Sequence, residues 1–438
     1  MMRTIDLRGT DPDPAELLRL VPRAAIDIES AVDTVRPLIA DVAARGEAAL
    51  REQAKNFDGV EGHALRVPAA DIERALLECD PAVRDALEQL IARLRRASAA
   101  QVPATQVTTF GDGATITQRW QPVGRVGLYV PGGKAVYPSS VVMNAVSAQV
   151  AGVASLAIAS PAQRESGGVH PTILAAAGLL GVTEVYAIGG AGAIAAFAHG
   201  VPEIGLVPVD VVTGPGNIFV AAAKRVVNGL VGIDAEAGTT EILVIADEQA
   251  NAGFVAADLI SQAEHDEAAA SVLVTDSEAL AAEVLSEIAL RAPRTMHADR
   301  VREALSGPQS AVILVDSMSQ AAQLSDAYGP EHLELHSSDD AALLAQITNA
   351  GAIFVGSYTP VSLGDYLAGS NHVLPTGGTA RFASGLGAHT FLRPQQIISY
   401  DRAALSEVHE PLLALARAEG LPAHGEAVSA RFAPVADR

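Results

Sequence analysis

Cysteine is almost missing from this 438-residue sequence, in which Cys79 stands alone. One thiol cannot form an intrachain disulfide or supply a four-cysteine zinc site. Its surroundings, RALLECDPAVRDAL, have a helical pattern and predict a buried structural thiol rather than a nucleophile. Low cysteine usage is typical of a reducing compartment, so we expect a cytoplasmic protein.

Positive charge is also scarce. There are 30 Lys and Arg against 51 Asp and Glu, which gives a formal net charge of −21. An acidic surface repels the phosphates of nucleic acids and of anionic membranes, so we expect neither as a partner. A local phosphate site remains compatible with this charge, because N–H groups at a helix N-terminus bind anions without basic side chains.

Long uninterrupted apolar runs are absent, since Gly and Pro break the longest ones. These runs predict buried strands and helices rather than membrane spans. The first residues, MMRTIDLRGTDPDP, lack the apolar core of a signal peptide. We therefore expect no targeting segment.

Aromatic residues make up only 4% of the chain, whereas hydrophobic residues make up 49%. A core of Ala, Val, Leu and Ile is typical of α/β proteins. Residues 31–57 and 71–99 carry apolar side chains at helical spacing, so the N-terminal region is predicted to be helical. Residues 105–120 then predict a β-hairpin with its turn at Gly111–Gly113.

Two similar series of short apolar runs and Ala-rich segments follow. The first covers about 121–236 and the second about 237–378, and in each the predicted strands alternate with helices. That alternation is typical of a parallel sheet with crossover helices. We therefore predict four segments, at 1–120, 121–236, 237–378 and 379–438.

Three glycine-containing loops follow predicted strands of the first series. They are VPGGK at 130–134, GGAGA at 189–193 and TGPGN at 213–217. Glycines let the backbone approach a phosphate, and the three loops would lie at the carboxyl end of one sheet, where open α/β sheets bind ligands. The alternative for each loop is a tight turn that binds nothing.

Two polar segments of the second series carry groups that ligate metals. In SQAEHD, Gln262 and His265 are three residues apart on a predicted helix and share one face. In GDYLAGSNHVLPT, Asp365 and His372 lie in a predicted loop. His and Asp are zinc ligands in many proteins. The alternatives are a solvated helix end and a surface loop.

The segment GPEHLEL places a carboxylate, Glu331, beside an imidazole, His332. Neighbouring side chains of a strand point to opposite faces, so the pair either serves one centre from two directions or includes a bystander. An exposed helix-to-strand junction is the alternative without chemistry. The pattern leaves these alternatives open.

Taken together, five motifs in this order resemble those of the histidinol dehydrogenase family: GLYVPGG, TGPGN, SQAEHD, GPEHLEL and GDYLAGSNHVLPT. The resemblance runs from about residue 20 to the C-terminus. It implies an α/β fold of two incomplete Rossmann-like parallel-sheet domains, with a helical N-terminal region and a small C-terminal tail segment. It also implies an intertwined homodimer, in which the C-terminal segment contributes to the partner subunit's site.

The same resemblance implies an activity. Family members oxidise L-histidinol to L-histidine, the last steps of histidine biosynthesis, in two NAD-dependent steps through an enzyme-bound aldehyde. They use one zinc ion per subunit. We therefore expect L-histidinol as the substrate, with NAD and zinc as cofactors.

Matching the motifs residue by residue implies individual roles. His332 is expected to transfer protons, and Glu331 to activate the water that attacks the aldehyde. The expected zinc ligands, which also contact the substrate, are Gln262, His265, Asp365 and His424 of the partner subunit. Further substrate contacts are expected from Thr240, His332, His372 and Glu419. Contacts with NAD are expected from Tyr129, Gly192 and Asn217.

Two positions depart from the family pattern. Thr240 stands where family members have Ser, which keeps the hydroxyl and adds a methyl group. Gly192 stands where they often have Gln, which removes one side-chain contact with NAD. We expect NAD to bind more weakly, or through backbone and water.

Three other functions fit parts of the sequence. A NAD-dependent dehydrogenase of another amino alcohol would share all the motifs. A zinc hydrolase could activate water with Glu331, His332 and the metal site, and a nucleotide or metal sensor would need only the glycine loops. A cysteine thioester route to the acid is disfavoured, because Cys79 lies far from every motif.

Overall fold

The computed structural model describes residues 2–24, 28–132, 136–236 and 238–433. The chain forms two compact units. The first comprises Met1–Gln101 and Val123–Phe391, and the second comprises Val102–Pro122 and Leu392–Arg438. The division at residues 120, 236 and 378 stays a prediction.

Strands are short and spread along the whole chain. Among the described residues they are β1 (Arg3–Asp6), β2 (Gln106–Gly111), β3 (Ala114–Pro122), β4 (Arg125–Tyr129), β5 (Ser155–Ser160), β6 (Val185–Ala187), β7 (Val211–Thr213), β8 (Gly232–Ile233), β9 (Glu241–Ala246), β10 (Ala270–Thr275), β11 (Ala311–Leu314), β12 (His332–His336), β13 (Ala352–Val355) and β14 (Leu392–Tyr400).

Helices connect most of these strands. Among the described residues they are α1 (Pro14–Leu20), α2 (Ile28–Arg45), α3 (Glu47–Gln53), α4 (Ala69–Leu77), α5 (Pro81–Ala100), α6 (Pro138–Ala151), α7 (Pro171–Leu179), α8 (Gly190–His199), α9 (Ile218–Val227), α10 (Ala252–Ala263), α11 (Glu278–Arg291), α12 (Ala298–Ser306), α13 (Met318–Tyr328), α14 (Asp340–Leu344), α15 (Val361–Tyr366), α16 (Arg402–Glu407), α17 (His409–Ala418) and α18 (Pro422–Ser429). None of these helices combines the length and apolar character needed to cross a bilayer.

A five-stranded parallel sheet in the first unit has the order β6-β5-β4-β7-β8. Numbered within its own segment, this order is 3-2-1-4-5, that of a Rossmann sheet without its last strand. Right-handed crossovers place α6 and α7 on one face and α8 and α9 on the other. Helix α2 packs against α8 and α9 and completes that layer.

A six-stranded parallel sheet in the same unit has the order β1-β11-β10-β9-β12-β13. Without β1, its order is again 3-2-1-4-5. The central strand β9 is buried along its whole length, because apolar clusters cover both faces of the sheet. The expected α/β fold with two incomplete Rossmann-like sheets is thereby confirmed.

The second unit contains an antiparallel sheet, β14-β3-β2, and the helices α16 to α18. Strands β2 and β3 form the predicted hairpin. Gly113 at its turn has a φ of 78°, a left-handed conformation that glycine adopts without strain. The sequence pattern did not predict β14, because this mostly exposed strand lacks an alternation of apolar side chains.

The N-terminal region is largely helical, as predicted. The exception is β1, which adds an edge strand to the six-stranded sheet. Cys79 lies between α4 and α5 and is partly exposed rather than buried in a helix. Asp80 accepts hydrogen bonds from the first N–H groups of α5. This N-cap interrupts the helical pattern just after Cys79.

Two ligand-bearing segments also need local correction. Helix α10 ends at Ala263, so His265 lies in the turn after it. The His265 N–H still donates to the Gln262 carbonyl oxygen at 3.2 Å, which keeps the two residues adjacent. Asp365 lies in the short helix α15 rather than in a loop.

Candidate active site

The three glycine loops leave the five-stranded sheet at its carboxyl edge. They follow β4, β6 and β7, and all strands of this sheet are parallel. Strands β4 and β7 are neighbours where the strand order reverses, which is where open α/β sheets bind ligands. Gly133 and Lys134 of the first loop lie outside the described residues.

Tyr129, the last residue of β4, connects two of these loops. Its hydroxyl accepts a hydrogen bond of 3.1 Å from the N–H of Gly190, the first residue of α8. Burial raises the pKa of Tyr129 to about 12. The hydroxyl therefore stays protonated near neutral pH and keeps its ability to donate.

Gly214 brings the third loop onto the first. Its φ is 118°, and a Cβ at this position would lie 1.9 Å from the carbonyl oxygen of Tyr129. A buried ion pair of 2.6 Å between Lys224 and Asp234 fixes the loop. Lys224 donates to the Gly214 carbonyl and Asp234 accepts from the Gly214 N–H, so the loop is rigid before any ligand binds.

Asn217 and Gly192 occupy the first turns of two helices at this edge. The Asn217 side-chain oxygen accepts from Phe219 and Val220 and caps α9, which leaves its amide nitrogen to donate to a ligand. Gly192 lies within α8. A Cβ there would meet the Gln53 amide oxygen at 2.7 Å, so Gln53 takes part of the space of the missing side chain.

The segment GPEHLEL is buried rather than an exposed junction. Glu331 lies just before β12, and His332 is the first residue of that strand. The exposed fraction is only 6% for Glu331 and 4% for His332. The Thr240 hydroxyl donates to Glu331 Oε2 at 2.6 Å, and the Glu241 N–H donates to the same oxygen at 3.0 Å. Burial raises the pKa of the Glu331 carboxyl, and His332 and these donors oppose the rise. A raised pKa makes the carboxylate a stronger base.

His332 has a defined tautomer. Its Nδ1 lies 3.1 Å from the carbonyl oxygen of Glu241. A carbonyl oxygen can only accept, so Nδ1 carries the hydrogen and Nε2 of the neutral ring has the free lone pair. Glu331 Oε2 lies 3.6 Å from Nδ1, close enough for the carboxylate to stabilise the imidazolium that forms when Nε2 accepts a proton.

Gln262 extends this hydrogen-bonded chain from α10. Its Nε2 donates to the Thr240 hydroxyl at 2.6 Å, and that hydroxyl in turn donates to Glu331. Gln262 is 1% exposed, and its Oε1 has no hydrogen-bond partner within the described part of the chain. A buried amide oxygen without a donor is unfavourable, so the chemistry of this position fits a ligand that supplies a cation or a donor.

Both ring nitrogens of His372 form hydrogen bonds. Its Nδ1 donates to the Asp365 carbonyl oxygen and its Nε2 accepts from the Ser140 hydroxyl, both at 3.0 Å. Burial lowers the pKa of His372, and the Asp365 carboxylate opposes this. The rings of His332 and His265 lower the pKa further. A lowered pKa favours the uncharged ring, which keeps Nε2 as an acceptor for the Ser140 hydroxyl.

Two expected residues belong to the second unit. Glu419 follows α17 as its C-cap, and His424 lies in α18. Both are exposed. They are therefore surface residues of that unit, available to a second protein chain.

Sequence reasoning missed the residues that hold this site. The partly buried Arg23 and the buried residues Glu241 and Tyr328 form a cluster behind Glu331 and His332. Ser140 contacts His372. A charged residue at the start of the apolar run EILVIA was a usable signal for Glu241, because a buried charge needs a partner. Arg23 gave no signal, since it lies 218 positions earlier.

A second missed cluster lies between α10 and the far end of β12. Asp258, Glu334 and His336 are buried, and one ligand atom from each lies within 4.8 Å of the others. Burial and the Glu334 charge raise the pKa of Asp258 to about 7. Burial lowers the pKa of His336, but the carboxylates, Glu334 first, outweigh it and raise that pKa. Protons shared within the cluster therefore balance its charge.

The two parallel sheets of the first unit have chemically different edges, and His372 contacts the helix at the first of them through Ser140. Ser140 belongs to α6, which starts at the carboxyl edge of the five-stranded sheet, and that edge offers backbone N–H groups. His332 belongs to the amino edge of the six-stranded sheet, which offers two proton acceptors and an amide oxygen. The first edge suits an anionic ligand, and the second suits proton transfer.

Comparisons with known proteins identify the family. The family model described as histidinol dehydrogenase matches residues 21–432. A histidinol dehydrogenase from Leifsonia xyli subsp. xyli is 66% identical over 432 residues, which cover 98% of this chain and 99% of that protein. Another from Thermobifida fusca is 57% identical over 429 residues, which cover 98% and 97%.

The similarity extends to the three-dimensional fold. The crystal structure of histidinol dehydrogenase from Elizabethkingia anophelis matches with a TM-score of 0.91 at 32% sequence identity, over 98% of both chains. These matches set aside the hydrolase and the sensor as functions. The chain belongs to the histidinol dehydrogenase family and is an oxidoreductase of histidine biosynthesis.

Proposed function

We propose that the protein catalyses the NAD-dependent, four-electron oxidation of L-histidinol to L-histidine through bound L-histidinal. The observation that carries this proposal is the buried chain Gln262–Thr240–Glu331 with His332 beside it. It brings two proton acceptors with different chemistry into one site. Two successive oxidations, with a water added between them, need such a pair.

The proton balance explains why two acceptors are needed. One histidinol, one water and two NAD⁺ give one histidine, two NADH and three protons. One proton leaves the alcohol, and the others leave the added water and the hydrate. Each transfer is faster when a positioned base accepts the proton in the transition state.

In the alcohol step, His332 Nε2 accepts the hydroxyl proton of histidinol. The Glu241 carbonyl holds Nδ1–H and thereby keeps Nε2 directed away from it. Imidazole is the side chain most often used to accept and release protons in catalysis. The Glu331 carboxylate stabilises the imidazolium that results.

In the aldehyde step, Glu331 takes a proton from the water that adds to the aldehyde. Both described donors to Glu331 bind Oε2, which leaves Oε1 to act as the base. A cysteine thioester would be the alternative. Cys79 does not suit it, because burial raises the pKa of its thiol and a nucleophilic cysteine needs a low one.

The donor set fits zinc. We propose as its ligands Gln262, His265, Asp365 and His424 of the partner subunit, with one ion per subunit. Support comes from Gln262, whose Nε2 is bound to Thr240 while its Oε1 has no partner among the described residues. When bound, zinc would supply a Lewis acid to the site.

NAD contacts are proposed for Tyr129, Gly192 and Asn217, which lie at the carboxyl edge of the five-stranded sheet. When bound, NAD supplies the hydride acceptor of both oxidations. Thr240, His332, His372 and the partner subunit's Glu419 are proposed substrate contacts, in addition to the zinc ligands. We propose a cytoplasmic homodimer with shared active sites, supported by the exposure of Glu419 and His424.

The NADH yield from limiting L-histidinol tests the reaction. With zinc-loaded protein and excess NAD, we expect two NADH per histidinol and histidine as the product. One NADH would mean that oxidation stops at the aldehyde. A faster rate with another amino alcohol than with L-histidinol would reassign the substrate.

The variant Glu331→Gln tests the division of labour. Its amide oxygen can accept from Thr240 and Glu241 as Oε2 does, so the fold should be retained. The alcohol step should slow much less than acid formation, because it loses only the charge that stabilises the imidazolium. Acid formation from added histidinal should fall about 100-fold, within the usual range for loss of a general base. Histidinal oxidation at the unmodified rate would remove Glu331 from the mechanism.

Mixed dimers test the shared site. Chains with His424→Ala and chains with Asp365→Ala are each expected to be inactive. One intact zinc site can assemble when the two kinds of chain pair, so verified mixed dimers should recover part of the activity. No recovery would argue that all ligands come from one chain.

A further inference from the structure

We infer that Arg23 and Glu241 are positioning residues of the reaction, which hold Glu331 and His332 in their working arrangement through the main chain of residue 241. The inference rests on the proposed function, because it assigns these two residues to the acid–base pair. Neither residue needs to touch the substrate for this role.

Glu331 and His332 are both hydrogen-bonded to the main chain of Glu241. The Glu241 N–H donates to Glu331 Oε2 at 3.0 Å, and the Glu241 carbonyl accepts from His332 Nδ1 at 3.1 Å. One peptide segment thereby fixes the carboxylate and selects the tautomer of the imidazole. A displacement of residue 241 would move both groups at once.

The side chain of Glu241 fixes that segment from behind. It is 3% exposed, and four hydrogen bonds from three residues reach its two oxygens. Arg23 donates twice, at 3.0 and 3.1 Å, the Tyr328 hydroxyl once at 3.0 Å and the Gly377 N–H once at 3.1 Å. A fully bonded carboxylate at the start of β9 leaves residue 241 little freedom.

Arg23 connects this anchor to the segment before GPEHLEL. Its guanidinium lies 3.9 Å from the centre of the Tyr328 ring and donates to the Tyr328 carbonyl oxygen at 2.6 Å. Tyr328 ends α13, only three residues before Glu331. Arg23 therefore holds both sides of the site, β9 through Glu241 and the approach to β12 through Tyr328.

Charge gives a second reason for this arrangement. The Glu241 carboxylate raises the pKa of Glu331 by repulsion, in addition to the effect of burial. Arg23 offsets that negative charge at short range. Without Arg23, the pair Glu331 and His332 would lie beside an unpaired buried carboxylate, which is strongly unfavourable.

The five-stranded sheet offers a matched control. There Arg125 donates twice to Glu184, at 2.5 and 3.1 Å, and the Tyr186 hydroxyl donates to the same carboxylate at 2.7 Å. This second Arg–Glu–Tyr cluster also lies at the amino edge of its sheet. Among the described residues, its hydrogen bonds reach none of the proposed site residues.

The test compares matched variants of the two clusters in the zinc-loaded, NAD-supplemented enzyme. Glu241→Gln and Glu184→Gln remove one charge from each cluster. Melting temperature, kcat and KM for L-histidinol are measured for both, with kcat referred to folded protein. We expect both melting temperatures to fall. Only Glu241→Gln should lower kcat, by about 10- to 100-fold with KM within about threefold, because misplaced catalytic groups lose rate rather than ground-state binding.

Arginine variants cover the case in which Glu241→Gln does not fold. Arg23→Lys keeps the charge but loses the two-pronged geometry, and Arg125→Lys is its control. We expect Arg23→Lys to retain more activity than Arg23→Met and to lower histidinol and histidinal oxidation in proportion. Equal kcat values for the Glu241 and Glu184 variants, or for the Arg23 and Arg125 variants, would overturn the inference and leave a structural cluster.

Failure of the proposed function would look different. It would show as absent NADH formation from L-histidinol by the unmodified protein, or as unchanged rates in Glu331→Gln and His332→Asn. If those variants lose activity while the Glu241 and Arg23 variants keep it, only the positioning inference is wrong.

Discussion

The two parallel sheets share the strand order 3-2-1-4-5, yet the proposed site residues lie at opposite edges of the two sheets. The five-stranded sheet presents glycine loops at its carboxyl edge, after β4, β6 and β7. The six-stranded sheet presents the proposed acid–base residues at its amino edge, where β9 and β12 begin. The same topology thus supports a backbone-lined site in one half and a side-chain site in the other.

Strand-end residues explain the difference. In the six-stranded sheet, β9, β10 and β11 lead at their carboxyl ends into Asp247, Asp276 and Asp316. Asp247 accepts hydrogen bonds from the N–H groups of Gln249 and Ser338. Burial raises the pKa of Asp247, but these donors outweigh burial, so the pKa is lowered. A carboxylate that occupies these donors repels phosphate. Topology offers both edges, and the residues at the strand ends decide which one binds.

The largest expected effect distinguishes the two edges of the six-stranded sheet. In His332→Asn, the amide nitrogen can still donate to the Glu241 carbonyl, but no base remains. We expect kcat to fall about 1,000-fold, within the usual contribution of a general base. Steady-state assays on folded protein measure it.

The control for that prediction is Asp247→Asn at the opposite edge. It should lower stability, because Asp247 is buried and accepts hydrogen bonds from Gln249 and Ser338. It should leave kcat within about twofold, because it contacts none of the proposed acid–base residues. A loss of kcat comparable to that of His332→Asn would mean that both edges take part in the reaction.

The next effect concerns the hydrogen-bonded side chains Gln262, Thr240 and Glu331 of the six-stranded sheet. Thr240→Val keeps the shape of the residue but breaks the hydrogen bonds with Gln262 and Glu331. We expect kcat/KM to fall about 30-fold, because two buried polar groups lose a partner. Thr240→Ser keeps the hydroxyl and should stay within about threefold of the unmodified enzyme. Similar losses in both variants would assign the effect to the methyl group.

The third prediction concerns the cluster at the carboxyl end of β12, where Asp258 faces Glu334 and His336, with Asp340 nearby. The folded-state pKa of Asp258 is about 7, above its ordinary value. The folded protein therefore holds a proton that the unfolded chain releases, and stability falls as pH rises from about 4 to 7. The raised pKa of His336 adds a fall in stability as pH rises through that pKa.

Asp258→Asn imitates the protonated carboxyl at every pH. Chemical unfolding at pH 5 and pH 7.5 should show a smaller stability difference than in the unmodified protein, by about 2 kcal/mol. Activity per folded molecule should change less than in Thr240→Val. An unchanged pH slope would mean that Asp258 is ionised in the folded protein.

The smallest effect concerns the backbone-lined edge. Gly192→Gln should tighten NAD binding by about threefold to tenfold, since one hydrogen bond contributes about 1 kcal/mol, provided that Gln53 moves aside. Gly192→Ala adds the Cβ without the amide and is the control. Calorimetric NAD titration that gives equal affinities for the two variants would show that the amide adds nothing.

Local patterns predicted the sheets well. The apolar runs around Val126, Ile158, Leu243 and Val274 became buried parallel strands, because their side chains alone determine burial on both faces. The hairpin turn at Gly113 was also predicted, because its glycines are a local signal for a turn. Strands β1 and β14 were not predicted, because an edge strand is defined by its distant partner rather than by its own pattern.

The site followed the same rule. Gln262, Glu331 and His332 were identified through family motifs, but their convergence on residues 240 and 241 was not, since it depends on strand register. Glu331 lies just before β12 rather than in it. The rule that neighbouring strand side chains point to opposite faces therefore does not separate Glu331 from His332. Arg23 could not be found from sequence, because ion pairing across 218 positions leaves no local trace.

Strand β1 is synthesised early but pairs with β11, which is synthesised late. This order has a consequence for folding during translation. Arg3 donates to the carbonyl of Pro308, 305 positions later, and β1 completes the sheet only against β11. At roughly 5–20 residues per second, the ribosome takes roughly 15–60 s to deliver that partner. The five-stranded sheet is translated long before then. A nascent chain can thus fold its five-stranded sheet before the amino-terminal strand has a partner. We expect closure of this long loop to be slow, because it depends on a non-local contact.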